Sequence, residues 1–198
     1  MSPRPNVTVK RTNQIIEAAM MVFARLGFNK ARMDDVAEEA GLSKGALYLY
    51  FKSKDALIRA ILENFLAREL AHAREVVDSD HSAAEKLDLF TEIMLSDFKK
   101  MQPLMSIYFE FMALAMRRKA VKEVIREFFQ DFMGILEPII EQGIEAGEFH
   151  PVNVQEAALA VGALFEGTIL LWVYNSELVD LEKHVKSSVR LLLEGLKA

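Results

Sequence analysis

Apolar residues recur at intervals of three and four along almost the whole chain, and this spacing limits the folds that are open to it. Alternation of period two, which would mark half-buried strands, is nearly absent. Apolar residues spaced in this way line one face of a helix. The sequence therefore predicts an all-α protein, and its 198 residues are enough for a small domain joined to a larger one.

Breaks in the pattern divide the chain into about nine helices. Glycines 27, 41 and 147 are expected to end helices, Pro103 to mark a boundary, and Pro138 to kink or break a helix near Gly134. The polar stretch 78–82 is the best candidate for a linker. The predicted helices cover about 12–26, 34–40, 44–50, from Ser53 to 77, 83–100, 104–116, from the basic cluster 117–119 to 146, 154–174 and 178–196.

Composition excludes several classes of protein. There is no cysteine, so disulfide frameworks and thiolate metal sites are ruled out, as suits a reducing compartment. The polar, basic N-terminus does not read as a secretory signal. The longest apolar run, Ala157 to Phe165, is nine residues, whereas a spanning helix needs roughly 20. We expect a soluble, cytoplasmic protein with no membrane partner.

Charge is distributed unevenly along the chain. Residues 1–54 hold nine Lys/Arg and five Asp/Glu, a balance of +4, so the remainder carries −9 of the total of −5. A basic end could face phosphate while the acidic body stays in solvent. A basic stretch is also often only a solvated face, so charge alone leaves both interpretations open.

Residues 34–51 have the parts of a helix-turn-helix, which needs a scaffold helix, a tight turn with glycine and a short second helix. Val36, Ala37 and Ala40 are predicted to face inward, and Gly41 permits the turn. Ser43 is a good N-cap for the second helix, which Leu47 and Phe51 should anchor from below. The outward or edge positions are then Lys44, Gly45, Ala46, Tyr48, Leu49 and Tyr50.

Small residues at 45 and 46 would let the backbone approach a major groove, and Lys52 and Lys54 could hold the DNA backbone. The alternative for any one residue is that the tyrosines belong to the core and the lysines are merely solvated.

The stretch GFNKARMDDVAEEAGLSKGALYLYFKSKDALIRAIL, preceded by IIEAAMMVFARLGF, resembles the DNA-binding domain of the TetR family of transcriptional regulators. The resemblance implies a three-helix DNA-binding domain at 8–68 and a ligand-binding and dimerisation domain at 69–198. It also implies a regulator, usually a repressor, that binds a double-stranded operator. By resemblance Tyr48 and Lys52 contact phosphates, while Lys44, Gly45, Ala46, Leu49 and Tyr50 line the recognition surface.

The chain departs from the family pattern at three positions. Ala31 and Arg32 stand where two threonines are common, so the usual N-cap of the second helix is missing, and Arg32 could supply a charged phosphate contact instead. Ala46 replaces a common threonine and removes one hydrogen bond. The DNA-binding candidates are thus Arg32, Ser43, Lys44, Gly45, Ala46, Tyr48, Leu49, Tyr50, Lys52 and Lys54.

An aromatic and methionine stripe runs through the predicted helices five to seven, and six of the ten methionines fall between Met94 and Met133. Such a stripe is core more often than pocket. Methionine also suits adaptable apolar sites, so we expect a hydrophobic or amphipathic small-molecule effector. The ligand-binding candidates are Phe90, Met94, Phe98, Met101, Met105, Phe109, Met112, Met116, Phe132 and Phe165. Tyr108, Glu110, Arg117, Glu166 and Trp172 are candidates for polar contacts.

The last two predicted helices are candidates for a dimer surface, because the resembling family pairs them in a four-helix interface. One stripe is Ala157, Val161, Leu164, Phe165, Thr168 and Trp172; the other is Leu181, Val185, Ser188 and Leu192. A twofold dimer would place its recognition helices roughly 34–36 Å apart.

Two other functions compete with a regulator. An enzyme lacks support, because the four histidines are scattered and no catalytic, cofactor or metal motif is present. An interaction module that no longer binds DNA is the second alternative, against which Lys44, Tyr48 and Lys52 argue.

Overall fold

The fold is all-α, as the sequence predicts. The structure is a computed structural model that describes residues 5–102 and 105–198. Within these residues the only strand-like pairing is an isolated bridge between Phe149 and Lys197. The helices are α1 (Pro5–Lys30), α2 (Met33–Glu39), α3 (Lys44–Tyr50), α4 (Lys54–Val77), α5 (Ala83–Met101), α6 (Met105–Ala115), α7 (Lys119–Glu145), α8 (Val154–Tyr174) and α9 (Leu181–Leu196).

Helix boundaries follow local capping chemistry. Ser43 begins α3 as predicted, with its hydroxyl accepting from the Ala46 N–H at 3.2 Å. Asn153 and Asp180 cap α8 and α9 in the same way. The boundary at Pro103 lies outside the described residues.

The predicted break in α7 is wrong, and the kink predicted as its alternative stays a prediction. The helix continues through Pro138, with Gly134 inside it. Proline removes one hydrogen bond and crowds the carbonyl four residues before it, which here belongs to a glycine. Buried side chains on both sides, Ile135, Leu136 and Ile139, hold the helix in the core, so tertiary packing outweighs the local cost.

Helix α1 is interrupted at Gly27, which has φ 71° and ψ 158°. Phe28 is 4% exposed, whereas Leu26, on the other side of the break, is 37% exposed. The change of direction at Gly27 thus turns Phe28 into the core in place of Leu26. The combination of φ and ψ at Gly27 is one that only glycine adopts without strain.

The described chain forms two compact units. Unit 1 comprises residues up to 66 together with 101–127, and unit 2 comprises 67–100 and 128–198. Helices α4 and α7 each run through both units. The predicted domains at 8–68 and 69–198 remain a prediction. They differ from the two units in residues 101–127, which the prediction places in the larger domain and which here belong to unit 1.

The core of unit 2 is aromatic at its centre. Phe90 is fully buried, with its ring 5.4 Å from that of Phe132 and 6.0 Å from that of Phe165. Gly162 lies against Phe132, where an added Cβ would come within 3.2 Å of the ring. Rings at these distances and near-perpendicular angles pack favourably.

Helix α8 is long and apolar enough to cross a membrane by length and composition alone. One of its faces is instead buried in unit 2 and carries Ala157, Val161, Phe165 and Thr168. These residues were predicted to form the dimer stripe, and that assignment is wrong because they pack in the core. The exposed apolar residues lie on other faces of α8.

The strained backbone at Gly27 gives a testable prediction. We expect Gly27→Ala to lower the free energy of unfolding by about 1–3 kcal/mol, because φ 71° disfavours a side chain and the new Cβ would lie 3.2 Å from Glu110. The control is Gly45→Ala inside α3, which meets nothing within 4 Å and should stabilise the protein by up to about 1 kcal/mol. Equal denaturation midpoints for the two variants would contradict the prediction.

Candidate DNA-binding site

The helix-turn-helix is formed by α2, a turn at Gly41 and α3. Gly41 has φ 63°, and after it the Leu42 N–H donates to the Ala37 carbonyl at 2.8 Å. This arrangement satisfies the carbonyls at the end of α2. The predicted inward residues are confirmed as buried: Val36, Ala37, Ala40, Leu47 and Phe51.

The outer side of α3 is accessible. Lys44, Gly45 and Leu49 are exposed, and Ala46, Tyr48 and Tyr50 are partly exposed. Leu49 is 75% exposed. All six predicted outward or edge residues are therefore exposed or partly exposed on this short helix, and their contacts with DNA remain predictions.

Lys44 is held by a neighbouring carboxylate. Its Nζ lies 2.9 Å from Asp34 of α2, and both side chains are largely exposed. The hydrogen bond and the negative charge of Asp34 raise the pKa of Lys44. The ammonium thus stays charged, and a phosphate could replace Asp34 as its partner.

Arg32 occupies the N-cap position of α2 with an exposed side chain. A guanidinium has no acceptor, so it cannot cap the helix as threonine would. The other half of a capping box is present, in which the side chain of Asp35 accepts from the Arg32 backbone N–H at 2.7 Å. This leaves the guanidinium directed to solvent as a candidate phosphate contact.

Lys54 does not take the outward role that the sequence suggested. Its Nζ donates to the carbonyl of Phe28 and, at 2.8 Å, to the carbonyl of Ala31. Burial lowers the pKa of Lys54, and the positive charge of Arg118 lowers it further. The ammonium is a structural donor inside unit 1, so we withdraw Lys54 from the DNA-contact residues.

Lys52 has the opposite environment. It is exposed in the turn between α3 and α4, next to Ser53, whose hydroxyl accepts from the Ala56 N–H at 3.1 Å to cap α4. The cap fixes the backbone that carries Lys52 and leaves the ammonium accessible.

Helix α6 supports the site from unit 1, a role that the sequence did not suggest. Glu110, considered above only as a ligand contact, accepts from the Phe28 N–H at 3.0 Å. Phe111 packs on Phe28 with ring centroids 4.6 Å apart. The available signal was a single carboxylate in the apolar run IYFEFMALA, where an unpaired charge would be costly.

The ligand-binding candidates in unit 2 lie in or beside its core. Phe90, Phe98, Phe132 and Phe165 are at most 8% exposed, and Met94 is partly buried against them. Phe98 packs edge-on against Trp172 at 5.6 Å. These positions agree with a core role and leave a ligand role untested.

The candidates in unit 1 have mixed environments. Met105 is buried, Phe109 and Met112 are partly buried, and Met116 is 86% exposed. The side chain of Met101 lies outside the described part of the chain. An exposure of 86% shows that Met116 does not line an enclosed apolar space in unit 1.

Unit 2 also has a groove of about 700 Å³ between α5 and α9. Charged side chains dominate its lining, among them Asp88, Glu92, Lys183 and Arg190. None of the predicted ligand-binding residues lines it. In the described residues no group of three or more His, Asp or Glu side chains is placed to hold a metal ion.

Two family models match the chain. Residues 15–61 match the model for bacterial regulatory proteins of the tetR family, and residues 83–194 match the C-terminal model of BetI-type transcriptional repressors. The HTH-type transcriptional regulator YfiR of Bacillus subtilis is 34% identical over 147 residues, which cover 73% of this chain and 70% of YfiR. The chain belongs to the TetR family. It is a helix-turn-helix transcriptional regulator.

Other TetR-family relatives match over nearly the full length. The fatty acid metabolism regulator protein of B. subtilis is 26% identical over 92% of this chain and 94% of its own. The structure of B. subtilis FadR in complex with stearoyl-CoA has a TM-score of 0.78 at 26% identity, covering 92% and 98% of the two chains. A TetR regulator from Haloarcula marismortui, with a TM-score of 0.84 at 20% identity over 96% and 100%, shares the fold.

The contrast between Lys52 and Lys54 gives a matched test. We expect Lys54→Met to lower the free energy of unfolding by about 1–3 kcal/mol, because two partly buried carbonyls lose their donor. Lys52→Met removes the same charge from an exposed site and should leave the denaturation midpoint unchanged while weakening binding to operator DNA. Equal loss of stability in the two variants would show that Lys54 has no special structural role.

Proposed function

We propose that the protein is a cytoplasmic, homodimeric repressor that binds a palindromic operator and releases it when an amphipathic molecule with a long acyl chain binds to unit 2. The observation that carries the DNA-binding part is the accessible side of α3, flanked by the exposed cations of Arg32, Lys44 and Lys52. Base edges would be read by α3, and the surrounding cations would hold phosphates.

The net charge of the whole chain does not oppose this function. The excess of negative charge lies beyond residue 54, whereas residues 1–54, which include the helix-turn-helix, carry a balance of +4. An acidic body orients a molecule whose basic end is attracted to DNA, and attraction of this kind depends strongly on salt.

Exposed apolar residues on α8 and α9 support a homodimer. Leu159, Leu171, Val173 and Leu191 are between 42% and 70% exposed and lie outside the core-facing stripes. Large exposed apolar side chains on two packed helices are candidates for an interaction surface. Twofold dimers are the commonest assemblies of soluble proteins, and a twofold axis matches a palindromic operator.

The acyl ligand is proposed from the relatives. A regulator of fatty acid metabolism and a structure with bound stearoyl-CoA both match this chain over more than nine-tenths of its length. The phenylalanines around Phe90, with the partly buried Met94 and Met133, offer apolar walls that could part around a chain of methylenes.

Release requires a ligand that distinguishes two states of the dimer. A molecule that bound both states equally would shift nothing, so the acyl ligand must prefer the state whose recognition helices no longer match two half-sites. Helices α4 and α7 each run through both units, so a shift of either helix in unit 2 on ligand binding would be transmitted to unit 1.

The DNA-binding part is tested on fragments of the DNA upstream of the protein's own gene, measured at two salt concentrations. We expect tight, salt-sensitive binding to one palindromic fragment. Tyr48→Phe, which removes only a hydroxyl, and Lys52→Glu should both weaken it. Lys52→Met neutralises one phosphate contact in each subunit of the dimer and should reduce the slope of log affinity against log salt by about 2. Binding that ignores fragment, salt and both substitutions would instead favour an interaction module that no longer recognises DNA.

The dimer surface is tested by placing charge on it. Leu171→Glu combined with Leu191→Glu should convert the dimer into monomers in light scattering, because two carboxylates would be buried against a second copy. Met116→Glu makes the same change at an 86% exposed residue of unit 1 and serves as the control. A double variant that remained dimeric would place the interface elsewhere, and binding of the wild type to lipid vesicles would point to a membrane role for α8.

The ligand part is tested with stearoyl-CoA as the probe. We expect it to raise the melting temperature and to displace operator DNA. Met94→Trp should reduce both effects while leaving operator affinity unchanged, because it adds bulk at a partly buried position beside the core of unit 2. Met116→Trp is the exposed control. No response of the wild type to stearoyl-CoA would remove the acyl proposal without affecting the operator result.

A further inference from the structure

The recognition helix is short of the side chains that usually read bases by paired hydrogen bonds. From Ser43 to Tyr50 there is no Arg, Asn, Gln, Asp or Glu. Arginine or lysine reads guanine, asparagine and glutamine read adenine, and the acids accept from cytosine, so Lys44 is the one residue of this set on α3. Sequence recognition by α3 must therefore depend heavily on other contacts.

The polar side chains that α3 does have are partly committed. The Ser43 hydroxyl accepts from the Ala46 N–H, and Lys44 is paired with Asp34. Tyr48 and Tyr50 are partly buried against the domain. Each hydroxyl or ammonium can still reach a phosphate or a base, but none forms a two-pronged pair with a base through an amide or guanidinium.

Leu49 is the large apolar side chain on the accessible side of this helix. It is 75% exposed, and Leu47, two residues earlier, is fully buried, so α3 has a clear inner and outer face. Gly45 and Ala46, four and three residues before Leu49, share its side of the helix. An added Cβ at Gly45 would meet nothing within 4 Å. Small neighbours leave the leucine accessible to a surface that approaches α3 closely.

We propose that Leu49 is a specificity-determining residue that packs against the C5-methyl groups of thymine in each operator half-site, with Ala46 lining the same contact. The methyl group of thymine is the apolar feature of the major groove, and aliphatic side chains recognise it by direct contact. This inference rests on the proposed function, because it assumes that α3 enters the groove.

The test uses an operator selected from a random duplex pool by the purified full-length protein. Each thymine of the half-site is then replaced by deoxyuridine, symmetrically in both half-sites, which removes one methyl group from each half-site, two from the operator, and keeps every hydrogen bond. We expect one or two positions at which wild-type affinity falls by about fourfold for each methyl lost. Leu49→Ala should bind the thymine operator more weakly and should not distinguish thymine from deoxyuridine at those positions.

The controls separate the two proposals. Met116→Ala truncates another highly exposed apolar side chain and should keep the full wild-type response to deoxyuridine. Wild-type binding that is indifferent to deoxyuridine at every position would overturn the role of thymine methyls. A response that Leu49→Ala retains unchanged would overturn the assignment to Leu49. Failure of the selection to yield any preferred sequence would overturn the proposed function itself, and this inference with it.

Discussion

The break of α1 at Gly27 is the constraint on which the DNA-binding unit depends. When the helix stops there, the N–H of Phe28 and the carbonyls of Phe28 and Ala31 need partners outside the helix. Buried backbone groups are almost always paired, and here the partners are the carboxylate of Glu110 and the ammonium of Lys54. The start of α4 and the middle of α6 thereby fix where α2 begins, and the position of α3 follows from α2 through the turn at Gly41.

This arrangement divides the positive charges near the helix-turn-helix into two kinds. The ammonium of Lys54 donates its hydrogen bonds inside unit 1, and its Nζ also lies 6.0 Å from the centre of the Phe23 ring. Lys52, two residues earlier, remains in solvent. The segment therefore presents less charge to DNA than its composition suggests, and the accessible cations surround a recognition helix whose own outer surface is largely aliphatic and aromatic.

Periodicity and capping residues were enough to predict most of the fold. The bounds of α3 follow from the cap at Ser43 and the spacing of apolar residues, and those of α8 were predicted from spacing alone; both signals are local. The break at Pro138 was wrong because its local cost is outweighed by packing that only the folded chain displays. The stripe on α8 was assigned to the wrong partner for a related reason: spacing shows that a helix has an apolar face, but not what covers that face.

The outward residues of the candidate site could be predicted from the sequence, but the contacts of Lys54 and Glu110 that hold the site in place could not. Which residues of α3 face outward follows from the helical period once Leu47 and Phe51 are placed inside. The inward turn of Lys54 depends on carbonyls more than twenty residues away, and the contact of Glu110 joins residues 82 positions apart. Sequence spacing contains no information about such distances.

Unit 1 is encoded in two separate stretches of the gene, because residues 101–127 fold with the N-terminal residues. A recombination event that exchanged only the first stretch would separate Phe28 from Glu110 and Phe111. The recipient would then have to supply a matching carboxylate and aromatic ring on its own sixth helix. A regulator with this arrangement can therefore change its operator while keeping its effector more easily by point substitution on the outer side of α3 than by exchange of its whole N-terminal segment.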